Sequence, residues 1–117
     1  MMVVKRLHPG PRMSAVSVRQ GGRLAGQVAD EPNLDVTAQT PRILETIDAL
    51  LEEAGSNKHQ ILFAQIFLAD IADFSAMNIA WDAWVSRSDP RPRATVEGKS
   101  AVPGYTVEVV ITAAVLD

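Results

Sequence analysis

Residues Ile61–Leu68 carry one polar side chain, Gln65, and this short apolar run constrains the chain more than any other feature. It is far shorter than the roughly 18 residues a membrane span needs. Bounded by the polar turn Ser56-Asn57-Lys58-His59-Gln60 and by Asp70, it suits a strand buried on both faces. A strand of that kind needs helices over it, and both flanks supply one. Ile43, Ile47, Leu50, Leu51 and Ala54 fall on a single helical stripe, with Glu45, Glu52 and Glu53 off it and Gly55 placed to stop the helix. Its start has two readings. Asp35 or Thr37 can cap, which puts Pro41 a turn inside and removes a backbone bond; Thr40 as cap with Pro41 in the first helical position is locally cleaner. A late start or a bend is therefore expected. After the apolar run, Asp70 or Asp73 can cap a second helix reaching about Val85 or Ser86. Phe74, Met77, Trp81, Trp84 and Val85 form its apolar face, Asn78 lies on the edge of that face, and Ser88-Asp89-Pro90-Arg91-Pro92 ends it.

Elsewhere the period changes to two. Met2–Leu7 reads as an edge strand, broken by His8-Pro9-Gly10-Pro11. Met13, Ala15, Val16 and Val18 alternate before Gly21-Gly22, a pair suited to a tight hairpin turn, and Leu24-Ala25 follow. Two further strands are expected at Arg93–Glu97 and Tyr105–Val115, joined by a turn-rich loop over Gly98–Gly104. The order β-β-β-α-β-α-β-β predicts an α+β fold, a mixed, largely antiparallel sheet with two helices on one face. Val16, Val18, Val96, Val107, Val109 and Ile111 offer more apolar strand surface than two helices hide, so oligomerisation through the other face is expected.

At 117 residues the chain is one domain, 1–117, with no repeat and no internal linker. A net charge of −3 disfavours a nucleic-acid binder that works by neutralising phosphates, and no membrane association is expected. Residues 1–29 hold Lys5, Arg6, Arg12, Arg19 and Arg23 and no acid. Such a start can mark a transit peptide, but its Pro and Gly residues and strand-like alternation argue for folded structure, so the cytoplasm is the default location. The absence of cysteine excludes disulfides, thiol nucleophiles and Cys-based zinc sites. His8 and His59 have no ligand spacing, so neither metal nor cofactor is expected, and no serine sits in a nucleophile elbow. Trp81 and Trp84, at helical spacing beside Phe74 and Met77, read as core rather than as a platform for bases.

What remains is a small charged set on strands. Arg93, Thr95 and Glu97 share one face of their strand, and Glu108 interrupts the apolar Val107-Glu108-Val109-Val110. An ionised carboxylate there is costly unless paired or facing a wet cleft. One reading is an exposed edge or an Arg–Glu ion pair. The other is a pocket in which a guanidinium clamps a substrate carboxylate and a carboxylate activates water.

The chain resembles the RidA family of reactive-intermediate deaminases, also called the YjgF or RutC family. The resemblance rests on Ala54-Gly55, Ile66-Phe67-Leu68-Ala69-Asp70, Asp73-Phe74-Ser75-Ala76-Met77-Asn78, Pro92-Arg93-Ala94-Thr95-Val96-Glu97 and Val107-Glu108-Val109. Gly55–Lys58 and Asn78–Val85 are similar to the YoaB-type branch, and Gly10-Pro11 and Ala25-Gly26-Gln27 extend the match more loosely through the first third. The resemblance implies a chorismate-mutase-like fold, a homotrimer with sites in the clefts between subunits, and cofactor-free hydrolysis of 2-imino or 2-enamino acids to 2-keto acids and ammonia. It makes Arg93 the carboxylate-binding residue, Glu108 the water-handling residue and Asn78 a substrate-binding partner. Two positions depart from the archetypal pattern. Arg12 stands where the family Tyr lines the pocket, adding a second charge for a larger or dianionic acid or crowding the site, and Thr95 stands where Cys is common. Three functions follow: an imine/enamine deaminase, a non-catalytic module binding small carboxylates or keto acids, and a hydrolase or lyase acting on another small acid.

Overall fold

The computed structural model describes residues 3–19, 21–85, 88 and 90–115. Its elements run β1 (Lys5–Pro9), β2 (Ser14–Val18), β3 (Gly22–Leu24), α1 (Val36–Glu53), β4 (Ile61–Leu68), α2 (Phe74–Trp84), β5 (Arg93–Glu97) and β6 (Val107–Ala113), in the expected order. The strands form one sheet ordered β1-β2-β3-β6-β4-β5, antiparallel throughout except for the parallel pair β4–β5. Short 3₁₀ turns at Lys58–Gln60 and Ile71–Asp73 lead into β4 and α2. No helix among the described residues is long and apolar enough to cross a membrane.

Helix α1 starts early: of the two readings of its start, the Asp35 cap holds and the late start at Thr40 does not. Asp35 is its N-cap, with Oδ1 accepting from the Ala38 amide at 2.9 Å, and Pro41 lies inside the helix. The bond Pro41 cannot donate falls on the carbonyl of Thr37, an exposed residue that water can serve. The early start brings Gln39 fully inside. Its Nε2 donates to the Leu34 and Gly104 carbonyls at 2.6 and 2.9 Å, and its Oε1 accepts from the Thr106 amide at 2.9 Å. These bonds clasp the helix to the loop that leads into β6, something local propensity could not reveal. The far end agrees with the sequence: Gly55 takes φ 83°, and the Gly55 and Ser56 amides reach back to the Glu52 and Leu51 carbonyls, closing the helix with a Schellman motif.

The core lies between the helices and one face of the sheet, built around Ile43, Ile47, Leu51, Ile66, Met77 and Ile111. Three expectations need correction here. Strand β4 is not buried on both faces: Ala64, Ile66 and Leu68 are covered, whereas Leu62 and Phe63 are exposed. Leu62 is the extra residue where the β4–β6 register shifts between Ile61 and Phe63. The apolar surplus is also differently composed. Val16, Val107, Val109 and Ile111 face the helices and are buried, while the open face carries Phe63, Phe67, Val96 and Val110. Finally, β1 does not break at His8-Pro9 but continues through Pro9. It is an edge strand, where proline is tolerated, His8 takes φ 51°, and the turn falls at Gly10, whose amide donates to Met13 O at 2.7 Å.

The Gly21-Gly22 signal marks a real hairpin, but not a two-residue primed turn. Val18 pairs with Gly22, and neither Gly21 nor Gly22 has positive φ. Helix α2 ends at Trp84 with Val85 as C-cap; Ser86, the alternative expected end, lies outside the described residues, as do Met2 and Asp89. Strand β6 is shorter than expected, Val107–Ala113 in place of Tyr105–Val115. Both tryptophans pack as read: Trp81 is buried, and Trp84 donates from Nε1 to Asp48 Oδ2 at 3.0 Å, linking α2 to α1.

Gln39→Leu preserves the volume of this buried side chain but strips a partner from the Thr106 amide. It should destabilise the protein by about 1–3 kcal/mol, the range for a buried donor left unsatisfied, read as a lower midpoint in urea unfolding.

Candidate functional site

Arg93 is the first residue of β5, and the parallel register with β4 sets its direction. It pairs with Ala64, as Thr95 pairs with Ile66 and Glu97 with Leu68, so all three point to the side where β4 is buried against the helices. Helix α2 presents Phe74, Asn78 and Trp81 at i, i+4 and i+7 to the same place. The Arg93 guanidinium lies 5.7 Å from the Phe74 ring centre and 5.4 Å from that of Trp81, and Nη1 donates to Asn78 Oδ1 at 2.7 Å. The two rings fix its plane and the amide fixes its rotation. Sequence reasoning named Arg93, Asn78 and Thr95 but gave Phe74 and Trp81 only a core role. The spacing that placed Asn78 beside Phe74 also held the signal for the aromatic pair.

Three features make this edge of the sheet chemically open. Arg93 is half-buried, yet has no carboxylate partner among the described residues. Most of its five N–H groups are uncommitted. Thr95, two residues along the same face, has a buried hydroxyl with no hydrogen-bond partner. Glu97 is by contrast satisfied: its Oε1 accepts from the Ile71 amide at 3.0 Å and secures the turn before α2. An uncompensated guanidinium beside an unpaired hydroxyl is suited to a small carboxylate with a further polar group.

Glu108 is elsewhere. It pairs with Phe67 in the β4–β6 ladder, between Val107 and Val109, which are buried under the helices, so it points to the open face. Arg93 and Glu108 therefore lie on opposite faces, on strands separated by β4. The Arg–Glu ion pair, one of the alternatives the sequence left open, is not formed by Arg93 and Glu108 in this chain. Glu108 Oε1 accepts from Ser100 Oγ at 2.9 Å, and its carboxylate lies against Gly26. Arg12 is more distant in the topology: it is exposed in the turn between β1 and β2, at the opposite edge of the sheet from β5. One chain thus brings together Arg93, Asn78 and Thr95, and leaves Glu108 and Arg12 apart from them.

A cleft of about 730 Å3 is at neither group's centre. It opens between the start of α1 (Asn33, Leu34, Asp35) and the loop before β6, and reaches Glu108 only through Ser100. No three His, Cys, Asp or Glu side chains gather as a metal site among the described residues. The Asp30 carboxyl is held below its usual range by a hydrogen bond from Arg42, and both groups are exposed at the surface.

The family model Endoribonuclease L-PSP matches residues 7–115. A RutC family protein from Haemophilus influenzae is 47% identical over 115 residues, spanning 96% of this chain and 98% of its own. RutC family protein YoaB from Escherichia coli K12 is 43% identical over 114 residues, spanning 97% of this chain and 100% of its own. A crystal structure of a YjgF family member from Neisseria meningitidis matches with a TM-score of 0.94 at 37% identity, over 99% of this chain and 98% of that one.

If the guanidinium and the hydroxyl are reserved for a ligand, removing them should not harm the fold. Arg93→Ala should unfold within about 1 kcal/mol of wild type, since two cation–π contacts are lost but an unpaired half-buried charge is relieved. Thr95→Val should be neutral or stabilising by up to about 1 kcal/mol in urea unfolding, because an unpaired buried hydroxyl becomes a methyl.

Proposed function

The chain belongs to the endoribonuclease L-PSP family, which includes the RutC and YjgF proteins, and on that premise we propose that it hydrolyses reactive 2-imino and 2-enamino acids, such as 2-aminoacrylate, to 2-keto acids and ammonia. The observation that carries the reading is the Arg93 guanidinium, oriented by Asn78, Phe74 and Trp81 and left without an anion among the described residues. The net charge of −3 runs against the RNA-cleaving role that the family's description names.

The site is built from two copies of the chain. Arg93 and Glu108 cannot meet across the sheet, and the open face carries exposed apolar side chains at Phe63 and Val96. A homotrimer, the assembly implied by the resemblance, covers that face and brings the Arg93 edge of one subunit against the Glu108 face of another. Arg12, on the opposite edge of the sheet from Arg93, then joins from the second subunit as a further positive group for the substrate.

The chemistry asks for little beyond placement. The enamine tautomerises to the imine. Arg93 holds the substrate carboxylate through paired charge-assisted bonds, worth about 1.5–3 kcal/mol, and Thr95 supplies a hydroxyl beside it. Glu108 orients a water and accepts its proton as the oxygen bonds to C2, while the C=N electron pair moves to nitrogen, which is protonated. The carbinolamine's hydroxyl proton is then carried by the Glu108 carboxylate to the amino nitrogen, the C–N bond breaks with its electron pair going to that nitrogen, and ammonia departs, leaving the keto acid. Atoms balance with one water consumed and no change of oxidation state, so the reaction asks for no electron carrier. Imines hydrolyse without help, and a positioned base adds typically about 10²–10⁴-fold.

The test is suppression of semicarbazide trapping of imino acids generated by an amino-acid oxidase. Arg93→Ala should raise KM at least about tenfold, and Glu108→Gln should lower kcat about 10²-fold or more. Refolded together in equal amounts, Arg93→Ala and Glu108→Gln chains should regain activity in about one quarter of the sites, because a fraction of sites draws each wild-type residue from a different subunit. No recovery on mixing would overturn the two-copy site. If wild type shows carboxylate binding that requires Arg93 but no turnover, the protein is a carboxylate-binding module.

A further inference from the structure

Glu108 lies in an otherwise apolar strand, and nothing in its own strand holds its carboxylate in one orientation. Two neighbours do. Residues 25–27 are clamped to β6 by a reciprocal pair of backbone bonds, Gln27 N to Val109 O at 2.8 Å and Val109 N to Gln27 O at 3.0 Å. Gln27 Nε2 also donates to the Ala25 carbonyl at 2.9 Å, bracing the segment. This presents the bare Cα of Gly26 to the Glu108 side chain. A Cβ built on Gly26 would come 2.1 Å from Oε2, 2.9 Å from Cδ and 3.2 Å from Cγ. Gly26 does not have positive φ, so the backbone conformation does not call for glycine there. What an added methyl would displace is the Glu108 carboxylate.

The other neighbour is Ser100, whose Oγ donates to Oε1 at 2.9 Å. It sits on a loop fastened at both ends, by the Gly98 amide to Leu68 O at 2.8 Å and by Gln39 to the Gly104 carbonyl. One oxygen of Glu108 is thus committed to a fixed donor, and the other is laid over Gly26.

We propose that Gly26 and Ser100 form a seat that fixes the Glu108 carboxylate, making them positioning residues for the water-activating step; this rests on the hydrolase reading above. Neither contributes to holding the substrate carboxylate, which is the part of Arg93. Removing either should therefore lower kcat and leave KM nearly alone, because a misplacement of about 1 Å can cost about 10²-fold.

The experiment compares full-length Gly26→Ala, Ser100→Ala and Ser100→Thr with wild type in the imine assay, each variant first checked for native circular dichroism and assembly size. Gly26→Ala and Ser100→Ala should lose about 10–100-fold in kcat with KM within about twofold, and Ser100→Thr, which keeps the hydroxyl, should recover most of the loss. Gly26→Ala combined with Glu108→Asp should be no worse than Glu108→Asp alone, since the shorter acid leaves room for the methyl. Wild-type kcat in Gly26→Ala and Ser100→Ala, or no recovery in Ser100→Thr, would overturn the seat. If Gly26→Ala fails to fold, the Ser100 pair still decides. The 13C resonance of the Glu108 carboxylate, assigned by its loss in Glu108→Gln, gives a readout free of turnover: it should move in Ser100→Ala and stay in Ser100→Thr. Movement of that resonance in a protein that hydrolyses no imine upholds the seat and removes the hydrolase reading; an unmoved resonance in an active enzyme removes the seat alone.

Discussion

The pairing of β4 with its two neighbours decides where every charged group of interest can act. Side chains alternate along a strand, so the register that turns Val107, Val109 and Ile111 under the helices also turns Glu108 to the other side of the sheet. The parallel register of β5, with Arg93 opposite Ala64 and Thr95 opposite Ile66, sends Arg93 and Thr95 toward α2. A slip of one residue in either ladder would exchange these sides and expose part of the core. Burial of apolar residues thus fixes the separation of the two charges, and the separation makes a second copy of the chain necessary to the proposed site.

That site carries a cost in the single chain. A half-buried guanidinium without an anion and a buried hydroxyl without a partner are unfavourable, in contrast to the buried amide of Gln39, which is well satisfied. The aromatic rings of Phe74 and Trp81 offset part of the cost at Arg93 and hold the group in a fixed plane. Such unmet bonding capacity near an edge of the sheet is what a small carboxylate can satisfy. The exposed side chains of Phe63 and Val96 are an unmet demand of another kind, which the proposed assembly of copies would answer.

Rigidity around the proposed base has a different origin. Gln39 ties the start of α1 to Gly104 and Thr106, and the loop it secures carries Ser100 to Glu108. A residue in the first turns of a helix is in this way connected to the orientation of a carboxylate on the far face of the sheet, through hydrogen bonds rather than through packing.

The sequence by itself determined the element order, the two helical stripes, the Gly55 stop and the strand at Arg93–Glu97, because each follows from local periodicity or capping. It also singled out Arg93, Asn78, Thr95 and Glu108 as chemically notable. Tertiary structure decided the rest, for reasons no local pattern contains. Asp35 rather than Thr40 caps α1 because starting there buries Gln39 against a loop some 65 residues away in the chain. Strand β4 leaves one face open because both helices lie on the same side of the sheet, so a nearly all-apolar run could not say which half of it would be covered. Gly26 and Ser100 meet Glu108 only through the Gln27–Val109 bridge and the fastened loop. The sequence showed which side chains could do chemistry; strand register, a long-range property, decided which of them one chain can bring together.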